Sequence, residues 1–376
     1  MKTYDVIVLG AGGVGSAAAF HLARRGTRVL GLDRFPGGHD RGSSHGQTRI
    51  IRKAYFEHPD YVPLLQRAYV LWHELEQEVG RQLYFPNGLI EVGPADGQVV
   101  PGVLQAANLH HLPVERLDPV EFAERFPGFI LPENCEALFE RDAGYLLVED
   151  CVIAHQQVAR QHGAELILDA EVVDWQATDE QVTVRTKTET FQAAKLVITA
   201  GAWAPTLLRE LGIRFQIRRK HLHWFATTSP HYSSARCRPT FFYELPEGCF
   251  YGFPSLDQWG VKVAEHTGGV EITNPLTDSR EDDPHDWQRV DSFRRRYLSD
   301  VTSQVTRHAV CYYTCSPDEH FLLGLHPQQE RVALAAGLSG HGFKFASVLG
   351  EVLADLAFQG FAELPISFLS PTRAAL

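Results

Sequence analysis

The apolar run Val6 to Leu9 leads directly into Gly10-Ala-Gly12-Gly-Val-Gly15, and that junction constrains the fold more than any other part of the chain. A small-residue stretch from Ser16 through Ala17, Ala18 and Ala19 to Arg25 then reads as a helix. Gly26 stops it, and Val29 to Leu32 supplies a second strand closed by Asp33. The series predicts a βαβ unit built round a dinucleotide. Gly10 and Gly12 permit a tight turn and close backbone approach to a pyrophosphate, while Gly15 lets the helix pack on the strand. The helix N-terminus attracts the anion, and Asp33 is placed to accept from the adenosine ribose hydroxyls. The unit opens the chain, as it does in many single-chain flavoenzymes, which favours FAD.

With 376 residues, 44% of them hydrophobic, the chain can bury a large core, and at ~150 residues per domain its length suggests two domains. The formal net charge of -11 argues against a nucleic-acid partner, because neutralising phosphates needs a basic face. No basic leader or apolar segment precedes the first strand, and no apolar run approaches the roughly 20 residues of a membrane span. The chain is therefore read as cytoplasmic, with no membrane partner. Six cysteines, at 135, 151, 237, 249, 311 and 315, are sparse for this length and are expected as free thiols, one of them special.

A second apolar strand, Lys195 to Ala200, ends in Gly201-Ala-Trp203, about where another parallel strand would meet the same cofactor. Arg331 to Gly337 adds a third, followed by a glycine turn and a helix from about Phe345 to Phe358. Stretches with β patterning, such as Leu89 to Val92 and Cys249 to Phe253, suit a separate and largely antiparallel domain. The expected organisation is an α/β chain. A discontinuous cofactor domain spans 1–84, 145–214 and 310–376, and a substrate domain spans 85–144 and 215–309.

Chemistry-bearing residues cluster in a few places. The segment Gly42-Ser-Ser-His45-Gly-Gln-Thr-Arg49-Ile-Ile-Arg52-Lys53 interleaves cations with Ile50 and Ile51, so part of it should be buried, where an arginine needs an anionic or flavin partner. A solvated basic face is the alternative. Ser339-Gly-His-Gly-Phe-Lys344 nearly spells a nucleophile elbow, but His341 occupies the last glycine position. It reads instead as a turn that brings backbone amides close to a cofactor, with Lys344 aimed at an anion. Cys311 and Cys315, with His308, His320 and His326 nearby, do not match zinc-ligand spacing, so no metal is expected. His221 and His223 alternate on one strand without a carboxylate and are expected to be packing or solvent-facing groups. Lys262 lies on an alternating strand, Gly260 to His266, and its direction is not fixed by composition.

Taken together, these residues resemble the monomeric sarcosine oxidase and N-methyltryptophan oxidase family of flavoproteins. The resemblance runs nearly end to end: GAGGVG, GSSHGQTRIIR, YVPL at 61 to 64, TAGAW, YGFPS at 251 to 255, and CYYTCSPDEHF running into GLSGHGFKFASVLGE. It implies a fold like those of glutathione reductase and D-amino-acid oxidase, and a monomer. It also implies FAD joined through a cysteine sulfur to the flavin 8α-methyl, and the family's cysteine followed by x-Tyr-Thr matches Cys311, not Cys315. By the same carry-over, Arg52 and Lys344 bind the substrate carboxylate, while Tyr251, His266 and Tyr313 line the amine side. Lys262 matches the lysine that promotes reaction with oxygen. Arg49 joins Lys262, His266 and Tyr251 as a catalytic candidate, and Ser43, His45, Arg49 and Val172 are implied cofactor contacts. Gly201, Gly340, Gly342 and Lys344 complete that set.

The activity implied is oxidative demethylation of a secondary N-methyl amino acid, with oxygen and water giving the primary amino acid, formaldehyde and hydrogen peroxide. The tail motif is more similar to the N-methyltryptophan branch. A cyclic secondary amino acid such as pipecolate or proline is the same-class alternative, and a flavin-binding subunit without turnover is the other. Departures fall at Ser44, Gln47 and Lys53, where the family commonly carries His, Asp and His. Two family glycines are replaced by Phe56 and His58, just beyond Arg52, which bears on pocket size.

Overall fold

Strand Thr3–Leu9 lies in the middle of a parallel layer in the computed structural model, which describes residues 3–236 and 238–374. It pairs in parallel with Val29–Leu32 on one side and Thr190–Ile198 on the other. Glu165–Ile167 extends the layer beyond Val29–Leu32, and Gln329–Ala336 pairs in parallel with the C-terminal half of Thr190–Ile198. The N-terminal half of that strand pairs instead with the antiparallel hairpin of Val172–Ala177 and Val182–Thr186. Val29–Leu32 is buried at every position, which is why it reads as an unbroken apolar run and not as an alternating one.

Helix Gly13–Arg24 covers this layer with Ala17, Ala18 and Ala19 fully buried. Their small side chains admit a second helix, Ala346–Gln359, at close range; a Cβ on Gly350 would collide with Ala17. That second helix falls where its sequence pattern put it, and Gly360 caps it in the left-handed conformation.

A second sheet, of nine strands among the described residues, carries the rest. Gln216–Phe225 pairs antiparallel with Val305–Cys315 along its length, so the latter strand crosses position 309/310 inside this sheet. Val261–Glu265, Gly248–Phe253 and Thr240–Leu245 follow in antiparallel order. Thr240–Leu245 then pairs in parallel with Leu89–Gly93, before Glu136–Glu140 and Val114–Leu117 close the sheet antiparallel. The largely antiparallel character expected from alternation holds, with one parallel pair.

Alternation along the two long strands sorts their side chains. Leu222, Trp224, Cys311, Tyr313 and Cys315 pack into one cluster on one face. Ile217, Val310 and Tyr312 pack into another on the opposite face. Among the described residues, five cysteines are free thiols, as expected, and Cys237 lies outside them. No described helix is long and apolar enough to cross a membrane.

Candidate active site

The C-terminal ends of the parallel strands open into a cleft of about 1450 Å³. Gly10, Gly12 and Asp33 line it from the first βαβ unit, Thr199 and Gly201 from the next strand end, and Gly337, Gly340 and Gly342 from the third. Asp33 is held in place by the backbone amides of Ala11 and Phe35, which donate to its carboxylate at 2.7 and 2.9 Å. Gly10 has φ of 87°, open only to glycine at low cost, and lets the chain turn sharply beneath the helix. A Cβ on Gly12 would meet nothing nearer than Ser44 Oγ at 3.8 Å, so protein packing does not require glycine there. The glycine keeps the cleft open for a ligand.

At one end the cleft meets a smaller pocket of about 440 Å³, and Arg49, Tyr313, Gly340 and Phe343 line both. Arg52, Glu57 and Lys344 line that pocket together with Arg49, Tyr251, His266 and Tyr313. Arg52 packs against aromatic rings, its guanidinium carbon 4.8 Å from the Tyr55 centroid and 4.2 Å from that of Phe56. Its Nη2 donates to Glu57 Oε2 at 2.7 Å, and its Nε lies 3.5 Å from Glu91 Oε1. Lys344 Nζ donates to the carbonyl oxygen of His341 at 2.8 Å. Trp72 Nε1 donates to the Lys344 carbonyl at 2.9 Å and so fixes the turn that carries it.

The charges of this pocket are set by burial and by one another. Burial holds the Lys344 ammonium down to about 7, and Arg52 pushes the same way. Burial pushes the Glu57 carboxyl up, but Arg52, His341 and Lys344 outweigh it and leave it at about 2. Glu91, enclosed with neither oxygen hydrogen-bonded, is pushed by burial up to about 8 against the pull of Arg52. Burial keeps His266 neutral, at about 3, and raises Tyr251 and Tyr313. Arg49, Arg52 and Lys344 thus bring cationic groups to the pocket, the ionised Glu57 pairs with Arg52, and His266, Tyr251 and Tyr313 are uncharged.

Two further cations stand here: Arg49, which lines both spaces, and Lys262, buried and lining neither. Lys262 Nζ donates to Gly46 O at 2.6 Å and to Thr48 O at 2.9 Å, and it sits 4.7 Å from the Phe253 ring centroid. Arg49 Nη1 donates to the same Thr48 carbonyl at 2.9 Å, and its Nη2 donates to Ser43 O at 2.8 Å. Burial lowers the Lys262 pKa well below the usual lysine range, and Arg49 lowers it further. Cys311 is fully buried and interacts electrostatically with both cations.

A family model described as FAD dependent oxidoreductase matches residues 5–356. The chain belongs to that family. It is a flavin-dependent amine oxidase, an oxidoreductase, similar over its whole length to curated relatives. It is 44% identical to monomeric sarcosine oxidase of Streptomyces avermitilis, covering 99% of this chain and 98% of the relative. Against monomeric sarcosine oxidase of Arthrobacter sp. the identity is 40%, over 100% and 97% of the two chains. Against N-methyl-L-tryptophan oxidase of Yersinia pestis it is 37%, over 98% and 99%. Overall identity is therefore higher to these sarcosine oxidases than to this N-methyltryptophan oxidase. Among solved structures, NikD, an unusual amino acid oxidase of nikkomycin biosynthesis, superposes with a TM-score of 0.87 at 26% identity, covering 100% of this chain and 99% of NikD. Glycine oxidase from Geobacillus kaustophilus has the same fold, with a TM-score of 0.82 at 21% identity over 99% of each chain.

In this FAD-dependent oxidoreductase the residues singled out from sequence gather in three shells. Gly10, Gly12, Asp33, Ser43, Arg49, Val172, Gly201, Gly340 and Gly342 line the long cleft. Arg52, Lys344, Tyr251, His266 and Tyr313 line the pocket at its end. Lys262, His45 and Cys311 are absent from both linings, and all three are buried. Gly15 packs inside the turn, where a Cβ would overlap the carbonyl of Gly10. Phe56 stacks on Arg52 and meets Phe242 at 5.3 Å, whereas His58 turns outward onto His320 and Phe368.

Three functional candidates were missed. Glu57 stood between the two residues flagged for bulk, and its charge in that apolar setting was the available signal. Glu91 gave none, because a glutamate on an alternating strand reads as solvent-facing. His341 was read only as the residue that breaks an elbow motif, yet it accepts from the Tyr55 hydroxyl at Nδ1, 2.6 Å away. Its Nε2 is 3.0 Å from the Glu319 carbonyl, which assigns the proton to Nε2.

Proposed function

We propose that the chain oxidises the carbon–nitrogen bond of a secondary N-methyl amino acid of the N-methyltryptophan or sarcosine type, with FAD joined covalently through Cys311 and molecular oxygen as electron acceptor. The observation that carries this reading is the pocket at the end of the dinucleotide cleft, which gathers Arg52 and Lys344 with the uncharged His266, Tyr251 and Tyr313. An amino acid offers a carboxylate for the two cations and an amine for the uncharged group.

Arg52 offers a planar fork and Lys344 a point charge, and together they clamp one carboxylate and orient the amine. None of His266, Tyr251 and Tyr313 is an anion that would keep the amine protonated, so the nitrogen keeps the lone pair that imine formation requires. Bound FAD supplies the two-electron oxidation and passes the electrons to oxygen. Loss of two electrons and two protons turns the N-methyl amine into an imine, and water splits it into formaldehyde and the primary amino acid. Oxygen takes up the same electrons and protons as hydrogen peroxide. Arg49, which lines both spaces, and Lys262, buried behind its own hydrogen bonds to Gly46 and Thr48, are the cationic groups that would stabilise the negative charge developing on oxygen.

In this reading the cofactor domain comprises 1–84, 145–214 and 310–376, the substrate domain 85–144 and 215–309, and the enzyme works as a cytoplasmic monomer. A steady-state panel of N-methyltryptophan, sarcosine and pipecolate with peroxide detection tests it. Turnover of the first or second supports the N-methyl assignment. Turnover of pipecolate alone moves the assignment to cyclic amines, and oxidation of primary amino acids only would overturn both.

A further inference from the structure

The amine-oxidase reading leaves unused a cluster of imidazoles on the outer face of the nine-stranded sheet. His221 and His223 lie two apart on Gln216–Phe225, and His308 on Val305–Cys315 stands directly opposite His223. Because side chains alternate, these rings project from the face opposite to Leu222, Trp224 and Cys311. They stack there, with centroids 5.1 Å apart for His221 and His308 and 5.2 Å for His223 and His308. As a pair without a carboxylate, His221 and His223 read as packing groups in the sequence. The fold supplies the missing carboxylate: Asp282, just before helix Pro284–Tyr297, comes down onto the rings.

We propose that His221, His308 and Asp282 form a binding site for a divalent first-row transition ion of the zinc class, with His223 orienting the Asp282 carboxylate. The three ligating atoms all lie within 4.8 Å of one another. His221 Nδ1 is 2.9 Å from His308 Nε2, and His308 Nε2 is 3.6 Å from Asp282 Oδ1. A tetrahedral ion with bonds of roughly 2.0–2.1 Å sets its ligand atoms about 3.4 Å apart, a spacing these distances bracket. His223 Nε2 lies 2.9 Å from the same Asp282 oxygen, the carboxylate–imidazole contact that commonly orients a ligand.

The donor set argues for the ion class. Two imidazole nitrogens and one carboxylate suit zinc, nickel, cobalt or ferrous iron, whereas calcium and magnesium take oxygen donors. Three protein ligands leave a coordination position open to water. The site has a way in, since the Asp282 side chain is 45% exposed and that of His308 18%. The neighbouring cations are already answered: Arg280 pairs with Asp40, and Arg219 with Asp278 and Asp283.

The test uses the flavin-loaded enzyme, stripped with a chelator and titrated with Zn²⁺ by calorimetry and with Co²⁺ by visible absorption. Wild type is expected to take up one ion per chain, with the Co²⁺ bands of a nitrogen- and oxygen-liganded site. His308→Ala and Asp282→Asn should each bind at least tenfold more weakly. Flavin content and turnover should stay unchanged, because none of these residues lines the cleft or the pocket. Absence of stoichiometric uptake, or equal uptake by wild type and both variants, would overturn the proposal and leave a hydrogen-bonded ring stack. Because flavin content verifies folding in every sample, a variant that merely unfolds is recognised as such; His221→Gln, which keeps polarity and nearly the same volume, then supplies the decisive comparison.

Discussion

Glu57 occupies Arg52: its Oε2 accepts from Nη2 at 2.7 Å, on the guanidinium assigned here to the substrate carboxylate. Ligand and Glu57 therefore compete for one donor fork. Glu57→Gln removes the competing charge while keeping a hydrogen-bonding side chain. The dissociation constant of a simple carboxylate ligand, read from flavin absorbance, should fall by about tenfold, the equivalent of one charge-assisted hydrogen bond of roughly 1.5 kcal/mol. An unchanged or weaker affinity in a folded variant would mean that Glu57 supports Arg52 and does not compete for its ligand.

Lys344 sets a pH window for the same binding step. Its ammonium, held at about 7 by burial and then by Arg52, is charged below that pH in the free enzyme and neutral above it. An anionic ligand favours the charged form, so affinity is full below about 7 and falls as pH rises through it, by up to tenfold per unit. Glu91, held at about 8 by burial, gains negative charge a little higher and weakens anion binding in the same direction. Carboxylate dissociation constants measured from pH 6 to 9 should show this decline in wild type and in Glu91→Gln. Lys344→Gln should bind weakly at every pH with the lower limb gone; a full decline in that variant would assign the limb to another group.

Lys262 separates the two half-reactions. Its ammonium sits on the carbonyls of Gly46 and Thr48 and lines neither cavity, so it has no contact to offer the substrate. Lys262→Met keeps the stem and removes the charge. Stopped-flow reoxidation by oxygen should slow by about 10² to 10³, the loss typical of one preorganised electrostatic group. Reduction by substrate should change much less. Equal slowing of both half-reactions would place the lysine in substrate oxidation instead.

How much of this could be read from the chain depended on whether the cause was local. The βαβ unit and helix Ala346–Gln359 were legible because glycine turns and apolar periodicity are written in consecutive residues. Arg52 was legible as a buried cation because Ile50 and Ile51 precede it. The direction of Lys262 was not, because the oxygens that hold it belong to Gly46 and Thr48 on a different segment. Glu91 drew no attention within the β-patterned stretch Leu89 to Val92, and its strand lies between Thr240–Leu245 and Glu136–Glu140. The histidine cluster needed His308 in register with His223 and Asp282 from an acidic stretch that reads as a solvated loop. Each failure is a contact between elements far apart in sequence.

The choice of tethering thiol gives the last test. Cys311 and Cys315 lie on the same face of Val305–Cys315, four positions apart, which at ~3.3 Å per residue separates them by about 13 Å. Cys311 lies within electrostatic reach of Arg49 and Lys262, and Ser43 Oγ donates to the carbonyl of the adjacent Tyr312, tying this part of the strand to the cleft wall. Cys315 has Arg218, Glu319 and Lys220 as its charged neighbours, and burial pushes its thiol up to about 11, leaving it protonated and a poor nucleophile at neutral pH. Cys311→Ala should therefore yield protein whose flavin passes into the supernatant on acid precipitation, while Cys315→Ala keeps its flavin in the pellet. Flavin retained by Cys311→Ala would remove that residue as the attachment point, and release from both variants would mean that Cys315 is needed for the linkage to form.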